Sequence, residues 1–168
     1  KDVSQMLVQA IEHFKANDSK KSEEVLDDIH RSFELNKETL AAIYYLKSII
    51  HNNSPYISIQ YAEKAVKLGK NQIRNHVQYI AALISYKKYA EALKASKSAL
   101  KIFKDDVRLY LYTSICLIRE GKYKDAKKHI DIANSIRESA LSYFIMGELN
   151  LAVGNAAKAD EYFRKAES

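Results

Sequence analysis

Apolar positions recur along this chain in steps of three and four residues. Leu7, Ala10, Ile11 and Phe14 open the series, and Tyr110, Thr113, Ser114 and Leu117, then Ala126, Ile130 and Ala133, repeat it. Such steps gather side chains on one face of an α-helix. The pattern is itself periodic. Ala65, Ala99, Ala133 and Ala166 follow one another at 34, 34 and 33 residues, and Ala92, Ala126 and Ala159 at 34 and 33. Gly121 and Gly154 lie 33 apart, and Tyr89 and Tyr123 lie 34 apart. A period of that length holding two helical stretches predicts a repeated helix–turn–helix unit. The alanines mark places where two helices must approach closely, because a larger side chain there would push them apart.

Turn chemistry divides the chain in the same way. Ser54-Pro55 offers a capping hydroxyl and then proline at a helix's first position, where its missing N–H costs nothing. Gly69 and Gly121 follow apolar runs and are expected to end helices in the left-handed conformation. Asp105 or Asp106 is expected to cap the helix beginning near Val107, and Asn155 the last one. Hairpins are thus predicted at 3–35, 37–69, 71–103, 106–136 and 140–167.

Composition reinforces the helical reading, since 168 residues contain only four glycines and one proline. No apolar run approaches the length of a membrane-spanning helix, and no signal-peptide core is visible. A start at Lys1 without methionine reads as a segment of a longer chain. The single cysteine, Cys116, forms no internal disulfide and leans toward a reducing, cytoplasmic setting. Net charge is +6, unevenly spread. Residues 1–38 carry six cationic and nine acidic side chains, residues 39–139 eighteen and eight, and residues 140–168 three and four. A basic middle is either a set of solvated lysine faces or a field that attracts an acidic partner.

The segment Gly121-Lys122-Tyr123-Lys124-Asp125-Ala126, followed by Ile130 and Ala133, resembles the second-helix signature of the tetratricopeptide repeat. Gly147, Leu151, Gly154, Ala159, Phe163 and Ala166 repeat it one unit later. The resemblance implies an all-α, right-handed α-solenoid of about five antiparallel helix-turn-helix repeats. They run as a divergent repeat over 1–38 and clearer ones over 39–72, 73–106, 107–139 and 140–168, a single solenoid from 1 to 168. The family's inter-repeat proline is missing throughout, Asn53-Ser54-Pro55 replaces the usual glycine turn, and the turn after the first helix reads as about two residues too long. Pentatricopeptide and Sel1-type repeats are the neighbouring alternatives. The first reads RNA through polar first-helix residues, and this chain offers Ile43, Val77, Leu111 and Phe144 there instead.

In a tetratricopeptide-like stack the first helices line the concave face. With the phase taken from the alanines, that face is expected to present Tyr44, Lys47, His51, Arg74, Gln78, Arg108, Leu111, Tyr112, Ile115, Arg119, Phe144 and Glu148. An apolar, aromatic lining with a few cations suits a partner's helix or extended peptide carrying acidic residues. The family's carboxylate clamp is broken here, because Val77, Ala81 and Tyr112 stand at matching places. At the far end, Tyr162 and Phe163 are expected to leave an uncovered apolar face through which copies could stack.

Catalytic patterns are missing. The four glycines form no phosphate loop, the five histidines are too scattered for a helical ligand pair, and Glu23-Glu24 and Asp27-Asp28 suit a solvated helix side. The expectation is therefore a non-catalytic protein-binding scaffold without metal or cofactor. A self-stacking assembly module and a basic RNA-binding repeat are the rivals.

Overall fold

A computed structural model describes residues 1–168, and it contains ten α-helices and no strand. In chain order they are α1 (Val3–Lys15), α2 (Ser19–Ser32), α3 (Lys37–Ile50), α4 (Pro55–Leu68), α5 (Ile73–Ser85), α6 (Tyr89–Ile102), α7 (Val107–Arg119), α8 (Tyr123–Ile136), α9 (Ala140–Ala152) and α10 (Ala156–Glu167). No helix is long and apolar enough to cross a membrane. The chain divides into two compact units, Lys1–Ala82 and Leu83–Ser168, with the division falling inside α5.

Local sequence explains the helix ends. Asp2 and Gln5 form a capping box, and Asp18, Asn36, Asp106, Ser139 and Asn155 each accept a backbone N–H in the first turn of the helix that follows. Ser54 starts α4 without a side-chain cap bond, with Pro55 at the first position. After α1, α5, α7 and α9 the chain reverses through one left-handed residue, namely Asn17, Lys87, Gly121 and Gly154. In each case the next N–H reaches back to the helix: Asp18 to His13 O, Lys88 to Leu83 O, Lys122 to Leu117 O and Asn155 to Asn150 O, at 2.7–2.9 Å. The first turn is therefore not two residues too long, because Asn17 does there what glycine does in the later units.

Gly69 departs from expectation, with φ at −129° rather than in the left-handed region. Its role is close approach. A Cβ there would lie 2.6 Å from Asn75 Nδ2 and 3.0 Å from the Ala41 Cβ, and Asn75 Nδ2 donates to Gly69 O at 2.9 Å.

In the first unit α1 packs on α2, α2 on α3 and α3 on α4. Ala10, Leu26, Ile29 and Ile43 are fully buried there, with Met6, Leu7, Val25 and Leu46 against them. In the second unit α6 packs on α7, α7 on α8 and α9, α8 on α9, and α9 on α10. Its repeating alanines, Ala92, Ala99, Ala126, Ala133 and Ala159, are all at most 1% exposed, as close helix approach requires.

Candidate functional site

The small-residue contacts inside three hairpins define the register of each first helix. Ser22 Oγ donates to Ala10 O (2.7 Å) and Ser114 Oγ lies 3.4 Å from Ala126 O, both across twelve residues. In the second hairpin Ser48 Oγ donates to Ser58 O (2.9 Å) and Ser58 Oγ to Ser48 O (2.8 Å), across only ten. α3 therefore sits two residues out of the phase taken from the alanines. At about 100° per residue, that slip rotates its positions by roughly 200°.

This rotation corrects three candidate residues. Tyr44, Lys47 and His51 face α2 and α4. Lys47, 8% exposed, bonds Asp27 of α2 and lies 5.5 Å from the Tyr61 ring of α4. His51 Nε2 lies 2.7 Å from Glu23 Oε2 and stacks on Tyr61 at 5.7 Å, and Tyr44 stacks on Tyr61 at 6.0 Å. Glu23 and Asp27 are correspondingly not a purely solvated side of α2. Tyr45 faces the other way, with the Arg74 guanidinium 5.0 Å above its ring. Gln78 Nε2 donates to Ser48 Oγ at 3.1 Å.

The half-buried Asp27–Lys47 pair should be felt in stability. Asp27→Ala strands a buried ammonium and is expected to cost about 2 kcal/mol. Asp28→Ala, whose partner Arg31 is 70% exposed, should cost less than about 0.5 kcal/mol. Urea unfolding of the two variants compares them directly.

In the second unit, α7 and α9 bring two stripes together. Arg108, Tyr112, Ile115 and Arg119 follow one face of α7, and Leu141, Phe144, Glu148 and Leu151 one face of α9. Arg119 Nη2 donates to Glu148 Oε2 at 3.2 Å and ties the stripes to each other. Leu141, Phe144 and Leu151 are 42%, 47% and 54% exposed. Leu111 is a second correction: at 2% exposure it is core, as is Ile43 at 0%. The cations are less free than the sequence suggests, since Arg108 also meets Asp106 at 3.4 Å. Phe144 turns partly to Phe163, 5.5 Å away, and the two border an open groove with Ala140 and Ala166. Tyr162 does not share it. It faces the side of α8 and α9.

Cys116 is fully buried, and burial, with Glu120 adding to it, pushes its thiol up to about 12. The thiolate is thus scarce at neutral pH. A chromogenic disulfide reagent is expected to react with the folded chain at least about a hundredfold more slowly than with the urea-unfolded chain. No three His, Cys, Asp or Glu side chains gather as a metal-ligating cluster.

The family described as the tetratricopeptide repeat protein 21 second ARM domain matches residues 56–164. The chain belongs to this family. Solved structures agree on the fold. The MamA RS-1 ArsTM double mutant superposes with a TM-score of 0.80 at 16% identity, over 98% of this chain and 92% of its own. MamA 41-end from Desulfovibrio magneticus RS-1 gives 0.78 at 15%, with the same coverage. TTC0263, a thermophilic TPR protein in Thermus thermophilus, gives 0.74 at 12%, over 97% and 89%. No curated protein matches the sequence. This tetratricopeptide-type chain therefore has the helical-repeat solenoid fold typical of protein-interaction scaffolds.

Proposed function

We propose that the chain is a non-catalytic interaction module that holds a helix or extended peptide of a partner protein on the α7–α9 face. The observation that carries this reading is the exposed apolar stripe Leu141, Phe144 and Leu151 on α9, lying beside Tyr112 and Ile115 of α7. Apolar side chains held in register on rigid helices suit an amphipathic segment. Arg108 and Arg119 flank them, and both guanidinium side chains are about half exposed despite their pairs with Asp106 and Glu148, which leaves donors for a partner's acidic residues.

Affinity capture from the native cell extract tests the proposal, using the wild type beside a Tyr112→Ala/Leu141→Asp variant shown by circular dichroism to be folded. Tyr112 is half-buried and Leu141 exposed, so the fold should tolerate both changes. A protein retained by the wild type and lost with the variant is the expected result. Identical captures would remove the α7–α9 face from consideration. Light scattering on the same samples addresses self-stacking, for which a monomer at high concentration is the excluding outcome. Titrating salt against any bound RNA addresses the basic-repeat alternative, which requires steep weakening.

A further inference from the structure

The second unit has another groove, away from the α7–α9 stripes. Its floor is α9, with Leu149, and the residue that follows the helix, Val153; its walls are α8 and α10, and the cavity measures about 560 Å³. The groove is electrically polarised. Lys124, Lys127 and Lys158 stand at the end where α8 and α10 begin, and Glu138 stands at the other. Lys127 pairs with Asp131 at 2.9 Å, whereas Lys124 and Lys158 have no carboxylate partner. Both unpaired lysines sit in the first turn of their helices, where the helix dipole disfavours a cation. Two such placements converging on one groove make this end positive, and Asp125, the acidic side chain in the first turn of α8, does not line the groove. Near the end of the α8 wall, toward Glu138, Asn134 Oδ1 is buried and accepts no hydrogen bond. A buried acceptor without a donor is costly and is satisfied when a donor enters. Val153, 53% exposed, offers apolar surface on the floor.

We infer that this groove is a second docking site, taking an extended acidic segment of a partner protein. The segment's carboxylates meet Lys124 and Lys158, a backbone N–H donates to Asn134 Oδ1, and an aliphatic side chain covers Leu149 and Val153. A nucleic-acid strand fits less well. Its phosphates continue along the whole groove and would run into Asp131 and Glu138, whereas a peptide can be acidic at one end only.

The test is a ¹⁵N–¹H NMR titration of the full chain with three probes. One is an acetylated octapeptide with three consecutive acidic residues followed by two aliphatic ones. The others are its charge-reversed lysine counterpart and a short oligothymidylate. The acidic peptide is expected to shift the Asn134 side-chain amide and the Val153 backbone signal. Lys124→Glu/Lys158→Glu and, separately, Val153→Asp should each weaken it about tenfold or more. All three positions are exposed, so the fold should survive. Tyr112→Ala should leave this binding unchanged, which separates it from the α7–α9 proposal. Absence of shifts at Asn134 and Val153, equal binding of the lysine peptide or the oligonucleotide, or indifference to the groove variants would each overturn the inference.

Discussion

Leu111→Ala is expected to lower the unfolding free energy by about 2–5 kcal/mol, the range for truncating a leucine in a packed interior. Leu111 is 2% exposed on α7, a helix packed against α6, α8 and α9. Removing its side chain therefore leaves a cavity rather than a smoother surface. Tyr112→Ala next to it removes a half-buried ring and should cost about 1 kcal/mol. The contrast decides whether position 111 is a binding residue or a core residue, because an exposed contact residue would give nearly neutral stability and altered partner affinity. Urea denaturation followed by circular dichroism measures it. A loss below about 1 kcal/mol would contradict the packing of α7 described above.

Most of the helical framework was legible in the residues. The recurring alanines mark buried small positions except at Ala166, which borders the open groove, and Asp106, Asn155 and Gly121 cap and turn where their chemistry says they should. These features are local, or repeat with the hairpin, so one chain displays them several times. The α3 register was not legible from the alanines, since Ala65 lies on α4 and reports nothing about how many residues separate it from the small contact on α3. The signal was present in another form. Ser48 and Ser58 are small residues ten apart, and Asn53-Ser54-Pro55 stands where the last two hairpins have a glycine turn. Nor could periodicity show Asp27 with Lys47 or Glu23 with His51, because those pairs join helices of different hairpins and occur once. On α9 the residues expected on one face, Phe144 and Glu148, keep helical spacing with Leu141 and Leu151, whose exposure only the structure shows.

Gly147→Ala should destabilise the chain and then reverse sign when Phe163 is removed. Alanine normally favours a helix over glycine by about 1 kcal/mol, and position 147 lies inside α9. Here a Cβ would stand 2.4, 2.6 and 2.9 Å from the Cε1, Cδ1 and Cζ atoms of the Phe163 ring, distances no relaxed contact reaches. The ring must swing away, giving up its packing over α9 and its contact with Phe144. Overpacking of this kind costs about 1–3 kcal/mol, which exceeds the propensity gain or at least cancels it. The net expectation is a loss of up to about 2 kcal/mol in the wild type. In a Phe163→Ala background the obstruction is gone, and Gly147→Ala should instead stabilise by up to about 1 kcal/mol. A four-member double-mutant cycle in urea measures the coupling. The same sign in both backgrounds would mean that the glycine is not retained for the Phe163 ring. Opposite signs would show that this glycine of the repeat signature acts by admitting one aromatic ring from the second helix of its own hairpin.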